Sequence, residues 1–283
     1  MCSALIFFNK VQETLIMQTP DVLVVLSGGA DSTICLALAK TQYKHVHAIT
    51  FNYGQRHAIE IESAKAVAKM IGVASHEVVD VGPLLVSSSP LVSSNAVGHY
   101  DGIDALPGGV EPTFIPGRNA LFLVLAANRA AALDVKDIMI GVCQEDFGGY
   151  PDCRQRFIDT MSTALSEGFL GQASGFNIIT PLMDLTKKES VILANNTPGA
   201  MEAMAYSHTC YDGQYPPNPN NHASLLRARG FAEAGLPDPL ILRAKKEGLL
   251  PAGYPDSGLV EKPAVALSAT PRAATGAKSP FQL

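Results

Sequence analysis

Ser27-Gly28-Gly29-Ala30-Asp31-Ser32 sets two glycines among two hydroxyl side chains and a carboxylate, a composition able to wrap an anion. Glycines permit close backbone approach and dihedrals closed to other residues. The loop amides, the hydroxyls of Ser27 and Ser32 and the start of a following helix would aim positive charge at one point. The segment contains neither GxxxxGK[ST] nor GxGxxG, so it is neither of the common phosphate loops. Asp31 would repel a phosphate directly, so its expected work is to hold a metal on that phosphate or to brace the loop. A plain Ser-Gly turn between strand and helix is the alternative that this segment alone leaves open.

Four further segments carry polar groups to similar junctions. Thr50-Phe51-Asn52-Tyr53-Gly54-Gln55-Arg56-His57 includes Arg56, able to grip a phosphate or carboxylate with two N–H groups, or else simply solvated. Pro116-Gly117-Arg118-Asn119 opens an apolar helix with Arg118. An arginine there has the wrong sign for the helix dipole, and an anion between Arg118 and the helix end would explain it. The run 141–154 (GVCQEDFGGYPDCR) offers Asp146 and Asp152 to the donor edge of a guanine-like base, with Tyr150 or Phe147 to stack on its face. Cys153 has no placed base beside it in the sequence and reads as a packing cysteine. Pro181-Leu182-Met183-Asp184-Leu185-Thr186-Lys187-Lys188-Glu189 starts a helix with Lys187, which could reach a phosphate or lie solvated.

The elements that must position these groups alternate. Strands are expected at 22–26, 45–51, 75–81, 137–142 and 177–180, and helices at 32–40 (Ser32 as N-cap), 57–71, 118–133, 154–168, 187–195 and 223–234. Apolar strands alternating with helices predict a doubly wound, mainly parallel α/β sheet covered on both faces. Ligands of such sheets sit beyond the carboxyl ends of the strands, where all these junctions fall. Residues 84–111 and 206–221 read as loops. The chain divides into an extension at 1–20, an α/β domain at 21–197, a loop and helical lobe at 198–250, and a Pro, Ala, Gly and Ser tail at 251–283 expected to be disordered. Met17 is a candidate start.

The whole chain of 283 residues has 47% hydrophobic and 17% charged residues, enough to bury a sizeable core. No apolar run approaches the ~18 residues of a membrane span, and the first ten residues make a poor signal peptide. Five scattered cysteines fit a reducing, cytoplasmic setting rather than a disulfide framework. A net charge of −5 argues against a nucleic-acid surface but admits a small polyanion such as a nucleotide. Oligomeric state, monomer or homodimer, stays open.

Taken in order, these five segments resemble the 7-cyano-7-deazaguanine synthase family, a branch of the N-type ATP pyrophosphatases, over residues 21–230. SGGADS is similar to that superfamily's pyrophosphate loop, and FNYGQRH, TFIPGRNALFL, GVCQEDFGGYPDCR and TPLMDLTKKE resemble the synthase branch. The resemblance implies an adenine nucleotide alpha-hydrolase-like fold and ATP- and Mg²⁺-dependent conversion of 7-carboxy-7-deazaguanine and ammonia to the nitrile. It implies ATP contacts from Leu26, Ser27, Gly28, Gly29, Ala30, Asp31, Ser32, Thr33 and Arg56, catalytic roles for Asp31, Arg118 and Lys187, and substrate contacts from Asp146, Tyr150 and Asp152. Rivals are a ligase that stops at the amide or uses another amine, and a silent ATP-binding homologue. A tRNA-thiolating enzyme would want a basic surface and a cysteine pair, and neither is present.

The resemblance also implies a four-cysteine zinc site, of which Cys210 in Thr209-Cys210-Tyr211 is the one retained position. The other three fall at Asn218, Asn221 and Ser224, just before Leu226-Arg227-Ala228-Arg229-Gly230. Amide and hydroxyl side chains are poor zinc ligands, so no zinc is expected. A remnant site from His208, Cys210 and His222 is the alternative.

Overall fold

The computed structural model describes residues 21–55, 59–85, 87–93, 98–105, 110, 112–144, 149–169, 175–210 and 213–255. The expected extension and tail lie outside them, apart from residues 251–255.

Five short strands, β1 (Val22–Val25), β2 (Val46–Asn52), β3 (Ser75–Asp80), β4 (Asp137–Ile140) and β5 (Asn177–Ile179), form one sheet in the order β3-β2-β1-β4-β5. Every pairing is parallel, and central β1 sets Val22 opposite both Val46 and Asp137. A strand buried on both sides must be apolar at every position, which is why VLVV carries no polar residue. Its side chains alternate between two cores: Leu23 and Val25 face one, Val22 and Val24 the other.

Helices cover both faces. Helices α1 (Ala30–Gln42), α2 (Ile59–Ile71), α5 (Lys187–Asn196) and α6 (Ala200–Met204) bury Ile34, Ala64, Val191 and Ala203 on one side. Helices α3 (Arg118–Ala132) and α4 (Gln155–Gly168) bury Leu123 and Ile158 on the other. Helix α7 (His222–Ala234) adds Phe231 to the first core, and α8 (Pro239–Lys246) follows it. The sheet is therefore the doubly wound parallel α/β arrangement expected. None of the described helices is long and apolar enough to cross a membrane.

Three expectations need correcting. Helix α1 starts two residues before Ser32, with Gly29 as its N-cap, because Gly28 turns the chain at φ +87° and the Gly29 carbonyl accepts from the Thr33 N–H. Ser32 instead points its hydroxyl back at Ser27. Residues 84–111 are not wholly loop, since Ile103–Ala105 forms a 3-10 turn and Gly82–Leu84 another at the near edge. Helices α6 and α8 were not expected. The first is too short for an apolar period to register, but the second announces itself through Asp238-Pro239, an N-cap followed by proline at the first helical position.

Candidate active site

The order of the strands leaves a crevice where β1 and β4 lie side by side but their chain connections run in opposite directions. The loop after β1 fills its floor. Ser27 and Ser32 meet hydroxyl to hydroxyl at 3.0 Å, the Gly29 N–H donates to Ser27 Oγ at 3.2 Å, and Thr33 Oγ1 donates to the Gly29 carbonyl at 2.8 Å. These bonds brace the bend from inside, and the N-terminal turn of α1 opens directly above it.

Gly28 has no room for a side chain. A Cβ there would come within 2.3 Å of the Glu60 carbonyl oxygen and 2.8 Å of the Ala64 amide nitrogen, so the bend rests on the backbone of α2. From the C-terminal side the His208 N–H donates to the Gly28 carbonyl at 2.8 Å. A Cβ on Gly141, just past β4, would lie 2.9 Å from the Asp31 carbonyl carbon, so that strand end also closes on the loop.

The opposite wall begins at α3, whose N-cap Gly117 adopts a left-handed conformation. Arg118 lines the cavity with its guanidinium carbon 5.9 Å from the centre of the Tyr53 ring. Burial pushes the Tyr53 phenol up to about 12, Glu60 adds to the shift and Arg118 opposes it. Burial likewise pushes the Glu60 carboxyl up to about 7 against the pull of Arg118. Tyr150 lines the same cavity, its hydroxyl 2.5 Å from Thr113 Oγ1 and its ring tilted over Phe114.

Lys187 opens α5 beneath a Thr186–Glu189 capping box and places Nζ 2.8 Å from Asp31 Oδ2. The pair is partly shielded, with side-chain exposures of 22% and 29%. Lys187 lines a second, largely apolar cavity that adjoins the first through Ala30, Asp31, Tyr150, Thr209 and Ala223. Cations thus stand on two sides of the bend: Arg118 across the cavity, and Lys187 behind Asp31.

The sequence model of the family described as queuosine biosynthesis protein QueC matches residues 21–235. The chain belongs to that family. A "7-cyano-7-deazaguanine synthase" from Gloeobacter violaceus is 56% identical over 220 residues, covering 77% of this chain and 94% of its own. Proteins of the same name from Laribacter hongkongensis and Chromobacterium violaceum are each 43% identical, over 224 and 230 residues, covering 78% and 80% of this chain and 94% of their own.

Of the residues expected at the site of this QueC-family chain, Leu26, Ser27, Gly29, Ala30, Asp31, Ser32, Arg118 and Tyr150 line the crevice cavity. Gly28 and Thr33 stand behind it, one packed on α2 and the other bonded to the Gly29 carbonyl. Asp152 is buried and does not line that cavity; Oδ2 accepts from the Asn119 N–H at 3.4 Å, compensating the start of α3. Burial raises its pKa, while Arg118 and the Asn119 amide oppose the rise. Cys153 is buried beside it and accepts from Asn119 Nδ2 at 3.5 Å, in keeping with a packing role. Arg56 and Asp146 lie outside the described residues.

Glu60, His208 and Thr209 also line the crevice, and sequence reasoning did not single them out for it. Glu60 sits in an ordinary amphipathic helix, and only the packing of α2 under Gly28 reveals its position. Thr209 stands in the sequence only as a flank of Cys210.

Proposed function

We propose that this QueC-family chain is a 7-cyano-7-deazaguanine synthase, an ATP-dependent carbon–nitrogen ligase of queuosine biosynthesis. The observation that carries the reading is the braced Gly28 bend, which opens at the β1–β4 crevice onto a cavity shared with Arg118 and Tyr150 and backed by Lys187. The names of relatives matched over 94% of their own length support it.

A carboxylate resists attack by ammonia until one oxygen becomes a good leaving group. In this reading the acid's oxygen attacks the α-phosphorus of ATP and pyrophosphate departs. Ammonia then adds to the acyl carbon, AMP leaves with the electron pair, and the new C–N bond loses a proton to give the amide. A second adenylation of the amide oxygen, followed by loss of AMP and of both N–H protons, gives the nitrile.

The chain's own part is charge stabilisation and positioning. The first amides of α1, with the loop hydroxyls, receive the pyrophosphate. Lys187, held by Asp31, and Arg118 supply cations at either side. Mg²⁺ carried on the triphosphate would neutralise charge on the leaving group, and Asp31, as the loop's carboxylate, is the residue that would hold it. Tyr150 offers a face to the deazaguanine ring, and Asp146 and Asp152 are the carboxylates proposed for its donor edge. No covalent nucleophile is required, which suits a crevice whose cysteine, Cys153, packs against Asn119. The acidic net charge supports small-molecule rather than nucleic-acid substrates, and few, scattered cysteines support a cytoplasmic setting.

Incubation with ATP, Mg²⁺, ammonium and 7-carboxy-7-deazaguanine tests the reading. AMP together with a product of the nitrile's mass is expected. Accumulation of a species heavier by one water would mean a ligase that stops at the amide, and absence of AMP with this acid would overturn the assignment.

A further inference from the structure

Cys210 is buried, and its sulfur takes two hydrogen bonds: Asn221 Nδ2 donates at 2.9 Å and the Asn218 backbone N–H at 3.3 Å. Asn221 is itself fully buried. Its carboxamide works at both ends, because Oδ1 accepts from the Ser224 N–H at 2.8 Å as the N-cap of α7 while Nδ2 reaches Cys210 and the Asn218 carbonyl. Of the three positions where the family resemblance implies zinc cysteines, Asn218 and Asn221 thus bond the retained thiol, and the Ser224 N–H bonds Asn221.

The donors present do not fit zinc. A structural zinc ion wants four thiolate or imidazole ligands. Here the thiol meets the Asn221 carboxamide and the Asn218 backbone N–H, while the Asn218 carboxamide lies 3.1 Å from His99 Nδ1 and accepts from the Asn220 N–H. Asn221 offers the sulfur an N–H, which a metal would have to displace. Ser224 Oγ is buried and has no hydrogen-bond partner among the described residues. His208 turns Nε2 to the Cys210 carbonyl at 3.0 Å, and among the described residues no group of three or more His, Cys, Asp or Glu could hold a metal.

We propose that the Asn221 carboxamide takes the place of the zinc ion, closing the C-terminal lobe by hydrogen bonds and making it independent of metal. The closure reaches the phosphate bend. Two residues before Cys210, the His208 N–H holds the Gly28 carbonyl, and Thr209 lines the cavity. The adjacent Arg227, bonded to both Asp238 oxygens and to Ser207 and Thr209, locks the same segment from the other side.

The test uses the purified full chain, with metal content and thermal unfolding as readouts. Wild type is expected to carry well under one zinc per chain and to keep its Tm on treatment with EDTA or phenanthroline. Asn221→Ala removes cap and sulfur donor together and should lower Tm by about 5 °C. Asn221→Asp keeps the cap acceptor but loses the N–H to Cys210, and should also melt below wild type. The triple variant Asn218→Cys, Asn221→Cys, Ser224→Cys should acquire one zinc per chain, with a Tm that chelation lowers. Stoichiometric zinc in wild type with a chelator-sensitive Tm would overturn the proposal, as would an unchanged Tm in Asn221→Ala. Failure of the triple variant to bind zinc would show that the cluster does not occupy a metal-site geometry, with the same consequence. None of these readouts depends on which acid the enzyme uses.

Discussion

Adding one methyl group to either glycine of the bend should give markedly unequal results. At Gly28 the backbone is left-handed, with φ +87°, a conformation that disfavours an L side chain by roughly 1–2 kcal/mol. The new Cβ would also sit 2.3 Å from the Glu60 carbonyl oxygen and 2.8 Å from the Ala64 nitrogen, both backbone atoms of α2. Neither can rotate away as a side-chain tip would, so the bend and the helix must separate by about 1 Å. Such overpacking costs about 1–3 kcal/mol more. Gly28→Ala should therefore lose about 2–5 kcal/mol, or roughly 10 °C in Tm for a domain of this size. A 1 Å displacement of the groups proposed to hold the pyrophosphate should also lower turnover by on the order of 10²-fold. At Gly29 φ is −79°, and a Cβ would meet Ser27 Oγ at 3.4 Å and the His208 oxygen at 3.6 Å. Gly29→Ala should cost about 1 kcal/mol, the preference of an N-cap for glycine over alanine. Urea unfolding of both variants, with AMP release measured in parallel, makes the comparison. If Gly28→Ala unfolds within 1 kcal/mol of wild type, or if the two substitutions cost the same, the packing argument for the bend is wrong.

Three further outcomes follow from the same contacts. Lys187→Met should reduce AMP formation by about 10²–10³-fold while leaving the urea midpoint almost unmoved, because a partly exposed ion pair contributes about 1 kcal/mol or less; equal losses of activity and stability would assign Lys187 a structural role. Glu60, held protonated by burial up to about 7 against an ordinary 4.5, binds more protons in the folded than in the unfolded chain between those values. Its contribution to stability is therefore present below pH ~4.5 and lost as pH rises toward ~7, and Glu60→Gln should flatten that part of a stability–pH curve measured without ligand; an unchanged slope would place the titration elsewhere. Arg227→Met leaves Asp238 buried opposite no guanidinium, so unfolding free energy should fall by about 3–5 kcal/mol, and a loss under 1 kcal/mol would show the pair to be dispensable.

Much of the site was legible because it is built from local segments. Glycines and hydroxyls stand next to one another in residues 27–32, so a loop that can cradle an anion is visible before any folding. Arg118 declared itself by standing at the wrong end of a helix dipole. Asp152 shows the limit: a carboxylate near aromatic residues suggests a base-gripping role from the sequence, and only the fold shows that one of its oxygens accepts from the Asn119 amide at the start of α3. Both roles are open to one carboxylate, and only the direction in which α3 enters the crevice brings the Asn119 amide to it.

The sequence by itself determined the alternation of apolar strands and helices, and with it the parallel sheet and the junctions where polar residues collect, because side-chain periodicity is a property of neighbours in the chain. Tertiary structure decided what those residues meet. Asp31 and Lys187 are 156 positions apart and become an ion pair only when α5 packs beside α1. The Gly28 carbonyl finds its donor in His208, and the Glu60 carboxyl its raised pKa, through contacts that no local pattern encodes. Burial and charge depend on distance in space, and that distance is set only once both cores have closed around the sheet.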